Sequence, residues 1–134
     1  MDADRRPRII AVSNNKGGVA KTTSTVNLGA CFAEMGYRTL IIDLDPQGNA
    51  SSSLGIDTRD LEHTVYDVLI QDTPLEDAIE PTAVKNLFLA PSNINLAGAE
   101  IELVAAFGRE SRLKMSIEPI AEQWDFILID CPQS

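Results

Sequence analysis

The chain has 134 residues, 44% hydrophobic and 23% charged, with a formal net charge of −9. That size and balance suit one globular domain with a real core, and the acidity argues against a nucleic-acid surface built from this chain alone. No run of about 18 apolar residues occurs, so no membrane span is expected, and the opening MDADRRPRII holds no secretory h-region.

In chain order, Arg8 to Ser13 is a short, apolar, β-branched run and reads as a buried strand. Lys21 to Met35 reads as a helix, with an inward stripe of Val26, Ala30 and Ala33, widened by Leu28, Phe32 and Met35, and with Gly36 as its stop. Thr39 to Asp43 is a second buried strand. The polar, Gly/Ser-rich DPQGNASSSLGIDTRD, residues 45–60, reads as a loop. Val65 to Ile70 and Leu75 to Ile79 are short helical candidates, and Pro74 suits a helix start. Leu87 to Ala90 is the third strand, and Ala97 to Ala106 is helical. Glu110 to Gln123 is a helix interrupted near Pro119, and Asp125 to Asp130 is the fourth strand.

Strands alternating with helices predict an α/β fold, and continuous apolar strands predict a mainly parallel, doubly wound sheet covered on both faces. Cys31 and Cys131 form no C-x-x-C pair and read as reduced, buried thiols of a cytoplasmic protein, while the lone His63 carries no metal signal. Arg109 and Arg112 can share a helix face, which reads as solvated surface. The chain stops at Ser134, four residues past a strand-ending aspartate, where an open parallel sheet builds its ligand site. A longer protein, truncated after the fourth strand, is the expectation.

The chemistry concentrates in NNKGGVAKTT, residues 14–23. A glycine-containing loop between a strand and a helix offers backbone N–H groups and a helix N-terminus to phosphate oxygens. In a P-loop of the G-x-x-x-x-G-K-[ST] pattern, Lys21 reaches the β- and γ-phosphates and the Thr22 hydroxyl binds Mg²⁺. Gly17 and Gly18 let the backbone approach closely. The pattern is not the standard one, because Asn15 and Ala20 stand where its glycines belong and Lys16 precedes the Gly-Gly pair. If position 20 needs a positive φ, Ala20 costs on the order of 1 kcal/mol. Asp43 and Asp45 end the second strand and Asp130 the fourth; an aspartate delivered by an apolar strand suits a Walker B group that holds Mg²⁺ directly or through water.

KGGVAKTT, LIIDLDPQGNASSSLGI, LAGAEIELV and WDFILIDCP, in this order from about Arg8 onward, resemble the ParA/Soj-type partition ATPases of the deviant Walker A group, which also holds MinD and the nitrogenase iron protein. DLDPQGN is the most discriminating piece. The resemblance implies an N-terminal part of such an ATPase domain over residues 8–134, preceded by a flexible segment 1–7. It implies ATP and Mg²⁺ as cofactors, bound by Lys16, Gly17, Gly18, Val19, Ala20, Lys21, Thr22 and Thr23. By the same resemblance Lys16 matches the signature lysine that reaches across an ATP-dependent homodimer, Lys21 the phosphate lysine and Asp45 the residue that positions the attacking water. It implies that Thr22, Asp43 and Asp130 serve the metal and that Gln47 to Asn49 respond to the γ-phosphate. It further implies a ParB-like stimulating partner, chromosome or plasmid cargo, a cytoplasmic, nucleoid-associated location without membrane binding, and nonspecific DNA binding that is weak for this chain alone. Cys131-Pro132-Gln133 departs from the family's C-P-P. Two other readings are a related ATPase that positions other cargo or serves cellulose or capsule synthesis, and a non-catalytic fragment that binds partners only.

Overall fold

A computed structural model describes residues 6–12, 18–93 and 106–131, the side chains of 18–21, 60 and 106–110 excepted. Five strands form one sheet in the order β1-β5-β2-β4-β3. They are β1 (Arg8–Val12), β2 (Thr39–Asp43), β3 (Glu80–Pro81), β4 (Leu87–Ala90) and β5 (Phe126–Asp130). All neighbours run parallel except β3, which pairs antiparallel with β4 through Glu80↔Leu89 and Pro81↔Phe88. The sheet therefore has one strand more than the apolar runs announce. Two residues containing a proline carry no alternation to read, and Pro81 is tolerated because β3 lies at the edge.

The helices are α1 (Gly18–Glu34), α2 (Asn49–Ser53), α3 (Val65–Ile70) and α4 (Ala106–Ile117). Helix α3 has the predicted bounds and begins in a capping box, with Asp67 accepting from the Thr64 amide at 2.8 Å. Leu75–Ala78 forms a 3₁₀ turn after Pro74. Beyond Ile117 the chain tightens into a 3₁₀ turn, Glu118–Gln123, with Pro119 in its first positions, so the expected interruption falls there. The expected helix from Ala97 lies outside the described residues up to position 105. Among those described, no helix is long and apolar enough to cross a membrane.

The sheet is covered on both faces over β2, β4 and β5, whereas β1, expected to be buried, is an edge strand whose Arg8, Ile9 and Ala11 are exposed. Leu40, Ile42, Ala90 and Ile127 pack with Val65, Val68 and Leu69 of α3 and Leu113 and Ile117 of α4. Ile41, Leu87, Leu89 and Leu128 pack on the other face with Ala33 of α1 and Ala50 of α2. The alternation along β2 and β5 is what the period of two requires. Each fully buried Leu or Ile contributes about 1.5–3 kcal/mol.

Three further expectations are corrected. Helix α1 buries Thr22, Thr25, Gly29 and Ala33, spaced at three and four residues, while Met35 is exposed. The contact face is built of small residues because the helix lies close to the sheet; a Cβ on Gly29 would stand 3.0 Å from Ile41 Cδ1 and 3.2 Å from Leu87 Cδ1. The stretch 45–60 is not all loop: it holds α2 and a 3₁₀ turn at Thr58–Asp60. Its polar residues bond inward to the loop they follow, which hydrophobic patterning cannot register. Cys31 is exposed and Cys131 half-buried, because Cys31 falls on the solvent side of α1.

Candidate functional site

Asp130, Asp43 and Asp45 stand at or just past the C-terminal ends of β5 and β2, where α/β sheets place ligands. Register brings them there. Asp130 of β5 is the partner of Val12 on one side and Asp43 on the other. The ladder continues one residue past the aspartates, through Cys131 N–H to the Val12 carbonyl at 3.0 Å and Leu44 N–H to the Asp130 carbonyl at 3.0 Å. Both carboxylates are fully buried.

Helix α1 supplies hydroxyls to Asp130. Thr22 Oγ1 donates to Asp130 Oδ2 at 3.1 Å, and Thr25 Oγ1 lies 3.4 Å from Oδ1. Asp43 is held from its own side of the sheet: Oδ1 accepts from the Asp45 amide at 3.0 Å, and Oδ2 from the Ser51 amide at 3.2 Å and the Ser51 hydroxyl at 3.0 Å. Burial pushes the Asp43 carboxyl up to about 7; the Asp45 and Ser51 donors pull against that rise, and the neighbouring Asp130 adds to it.

Asp45 sits in a turn that closes on itself. Its Oδ1 accepts from the Gln47 amide at 3.0 Å and its Oδ2 from Asn49 Nδ2 at 3.3 Å. The Asp45 carbonyl accepts from the Gly48 amide and from the Ser92 hydroxyl at the end of β4. Gly48 takes φ +66 and caps α2, a conformation glycine adopts without a Cβ penalty.

The structure thus brings Thr22, Asp43 and Asp130 together and places Asp45 two residues past β2. Thr23 is exposed on α1. Gly18, Val19, Ala20 and Lys21 lie in the first turn of α1, their side chains outside the described residues, and Lys16 and Gly17 lie outside them altogether. Ala20 is helical, not left-handed, so the strain considered for it does not arise. Sequence reasoning missed Thr25, Ser51 and Ser92. Thr25 was signalled by its three-residue spacing from Thr22, and Ser92 by following a buried strand. Ser51 had no such signal within its run of serines. Arg112 is tied to the Leu69 carbonyl at 3.0 Å and to Asp72 at 3.2 Å, so it fastens α4 to the end of α3. Arg109's side chain is outside the description.

Among the described residues, no cluster of three or more His, Cys, Asp or Glu is gathered for a metal. What is present, two carboxylates and a hydroxyl, is a hard-oxygen set too small for an all-protein cage. It fits Mg²⁺, which takes one or two carboxylates and completes its shell with water and phosphate.

A family model described as an AAA domain matches residues 7–134. The sporulation initiation inhibitor protein Soj of Bacillus subtilis (strain 168) is 54% identical over 127 residues, covering 95% of this chain and 50% of that protein. The chromosome partitioning protein ParA of Myxococcus xanthus (strain DK1622) is 46% identical over 127 residues, covering 95% and 45%. The chain belongs to the ParA/Soj type of this family. It spans about half the length of these relatives. Among solved structures, this ParA/Soj-type chain is similar to a cobyrinic acid a,c-diamide synthase of Mycobacterium smegmatis, with a TM-score of 0.88 and 44% identity over 96% of this chain and 52% of the other. That protein was crystallised with ADP and magnesium and with an ATP analogue and magnesium, and the expected cofactors, ATP and Mg²⁺, are consistent with those ligands.

Proposed function

We propose that this chain carries the Mg·ATP site of a ParA/Soj-type dimerisation switch. ATP binding joins two copies, the dimer engages nucleoid DNA in the cytoplasm, and a ParB-like partner stimulates hydrolysis that moves a chromosome origin or plasmid. The observation that supports this best is the buried Thr22–Asp130–Asp43 group at the sheet edge. Phosphoryl transfer asks a protein for positioning and charge neutralisation rather than covalent chemistry. In this reading Lys16 and Lys21 neutralise phosphate charge, Lys16 from the opposite copy, which makes nucleotide binding and dimerisation reciprocal. Gly17 to Thr23 cradle the phosphates. Thr22, Asp43 and Asp130 would hold Mg²⁺ or its waters, and the bound metal would supply charge screening at the phosphate oxygens. Asp45 orients the attacking water, and the Gln47–Asn49 turn senses the γ-phosphate through its bonds to Asp45.

The test is Mg·ATP binding and turnover by the chain and by Lys16→Ala. Micromolar binding by both, with ATP-dependent dimerisation lost in Lys16→Ala, supports the switch; no ATP binding by the unaltered chain overturns it. The similarity to a protein named as a synthase keeps one other reading in view, a related ATPase with another cargo or pathway. An adjacent ParB-like gene favours partition over it. With a net charge of −9 and Arg112 engaged within the fold, this chain alone binds DNA weakly.

A further inference from the structure

Resting on the nucleotide reading above, we propose that Ser51 is a positioning residue for the metal: it saturates Asp43 Oδ2, so that Asp43 meets a nucleotide-bound Mg²⁺, or its water, through Oδ1 alone. A carboxylate oxygen offers two in-plane lone pairs. At Oδ2 both are taken, by the Ser51 amide at 3.2 Å and the Ser51 hydroxyl at 3.0 Å. At Oδ1 one is taken, by the Asp45 amide at 3.0 Å, and among the described residues no second donor reaches it. The carboxylate is thereby fixed in rotation and reduced to a single-point contact.

Ser51 can do this because α2 is itself held. Gly48 turns the chain at φ +66, Ser92 ties down the Asp45 carbonyl, and Ala50 is wholly buried in the core cluster that α1 shares with the sheet. The Ser51 amide belongs to the first turn of α2, where N–H groups have no partner within the helix, so bonding it to Asp43 also caps that helix from outside. The hydroxyl is different. Helix formation does not require it, and its one evident use is to fill the remaining lone pair.

The experiment compares the full chain with Ser51→Ala and Ser51→Thr, using Mn²⁺ as the probe. Mn²⁺ affinity is read by electron paramagnetic resonance at saturating ADP. ADP affinity is measured separately in chelator, and the urea midpoint is followed by fluorescence of Trp124, the single tryptophan. Ser51→Ala is expected to weaken Mn²⁺ binding about 10-fold, the low end for groups that orient metal ligands. Metal-free ADP affinity stays unchanged, and Ser51→Thr recovers Mn²⁺ binding to within about twofold, on the same scale. Unchanged Mn²⁺ affinity in Ser51→Ala, an equal loss of ADP affinity with and without metal, or failure of Thr to restore it overturns the proposal while the nucleotide reading stands. If the unaltered chain takes up no ADP in either condition, the nucleotide reading falls and this inference with it. Should Ser51→Ala not fold, Ser51→Cys, similar in size and a weak donor, takes its place under the same criteria.

Discussion

The Thr22 hydroxyl donates to Asp130 across 3.1 Å, joining two residues 108 positions apart in the chain. The bond fastens the opening turns of α1 to the end of β5, and it occupies the same oxygens that the metal reading requires. Thr22→Val keeps the shape and removes the donor to a buried carboxylate. It should cost about 1–3 kcal/mol in urea denaturation and abolish the Mg²⁺ dependence of nucleotide affinity. Thr22→Ser should retain both, and a Val variant with wild-type stability would show that this bond carries no weight.

Asp43 gives the metal-free chain a pH signature. Its carboxyl is pushed up to about 7 in the fold from an ordinary 3.8, chiefly by burial. Between those values the folded chain keeps a proton that the unfolded chain has released. Stability from this group is therefore complete below about pH 4, falls as pH rises through 7, and then levels off. The span is on the order of a few kcal/mol. Urea midpoints measured from pH 4.5 to 7.5 should fall more steeply for the unaltered chain than for Asp43→Asn; parallel slopes would refute the assignment.

Gly29→Ala tests how tightly α1 sits on the sheet. Alanine brings a helix gain of up to about 1 kcal/mol. Its methyl, however, meets Ile41 Cδ1 at 3.0 Å and Leu87 Cδ1 at 3.2 Å, both on buried side chains in the middle of the core. Overpacking of this kind costs about 1–3 kcal/mol. A net loss of about 1 kcal/mol is expected by the same reckoning, read as a lower denaturation midpoint; a stabilised variant would mean the helix can lift.

Ala20→Gly addresses the departure from the P-loop pattern. Since α1 begins at Gly18, position 20 is helical, and glycine there should lose from a few tenths to about 1 kcal/mol of stability. Nucleotide affinity should stay within about twofold, well under the tenfold that 1.4 kcal/mol represents. A large gain in affinity would show instead that the alanine methyl crowds the phosphates.

Strands β2, β4 and β5 were legible because burial on both faces leaves TLIID, LFLA and FILID as unbroken apolar runs, which no solvent-facing element needs. Gly36 marked the end of α1 for an equally local reason, its φ of +92. Helix α2 was illegible. NASSS has no apolar period, and what holds it is the left-handed turn at Gly48 and the Asp43 carboxylate that accepts from Ser51, a backbone conformation and a polar contact that hydrophobic patterning does not register. The aspartates were legible as strand ends, whereas Ser51 and Ser92 act on them through contacts that only the folded chain creates.

The strand order carries a consequence for biosynthesis. Strand β5 lies between β1 and β2, so the strand that leads into the glycine loop and the strand that carries Asp43 have no ladder with each other. On a ribosome, β1, α1 and β2 emerge long before Phe126–Asp130, and until then Ile41 and Leu40 have only β4 to pair beside. The nascent chain must wait, with open strand edges and uncovered aliphatic surface, for the segment that closes its middle. In such an interval, open strand edges and uncovered aliphatic surface carry a risk of misassociation.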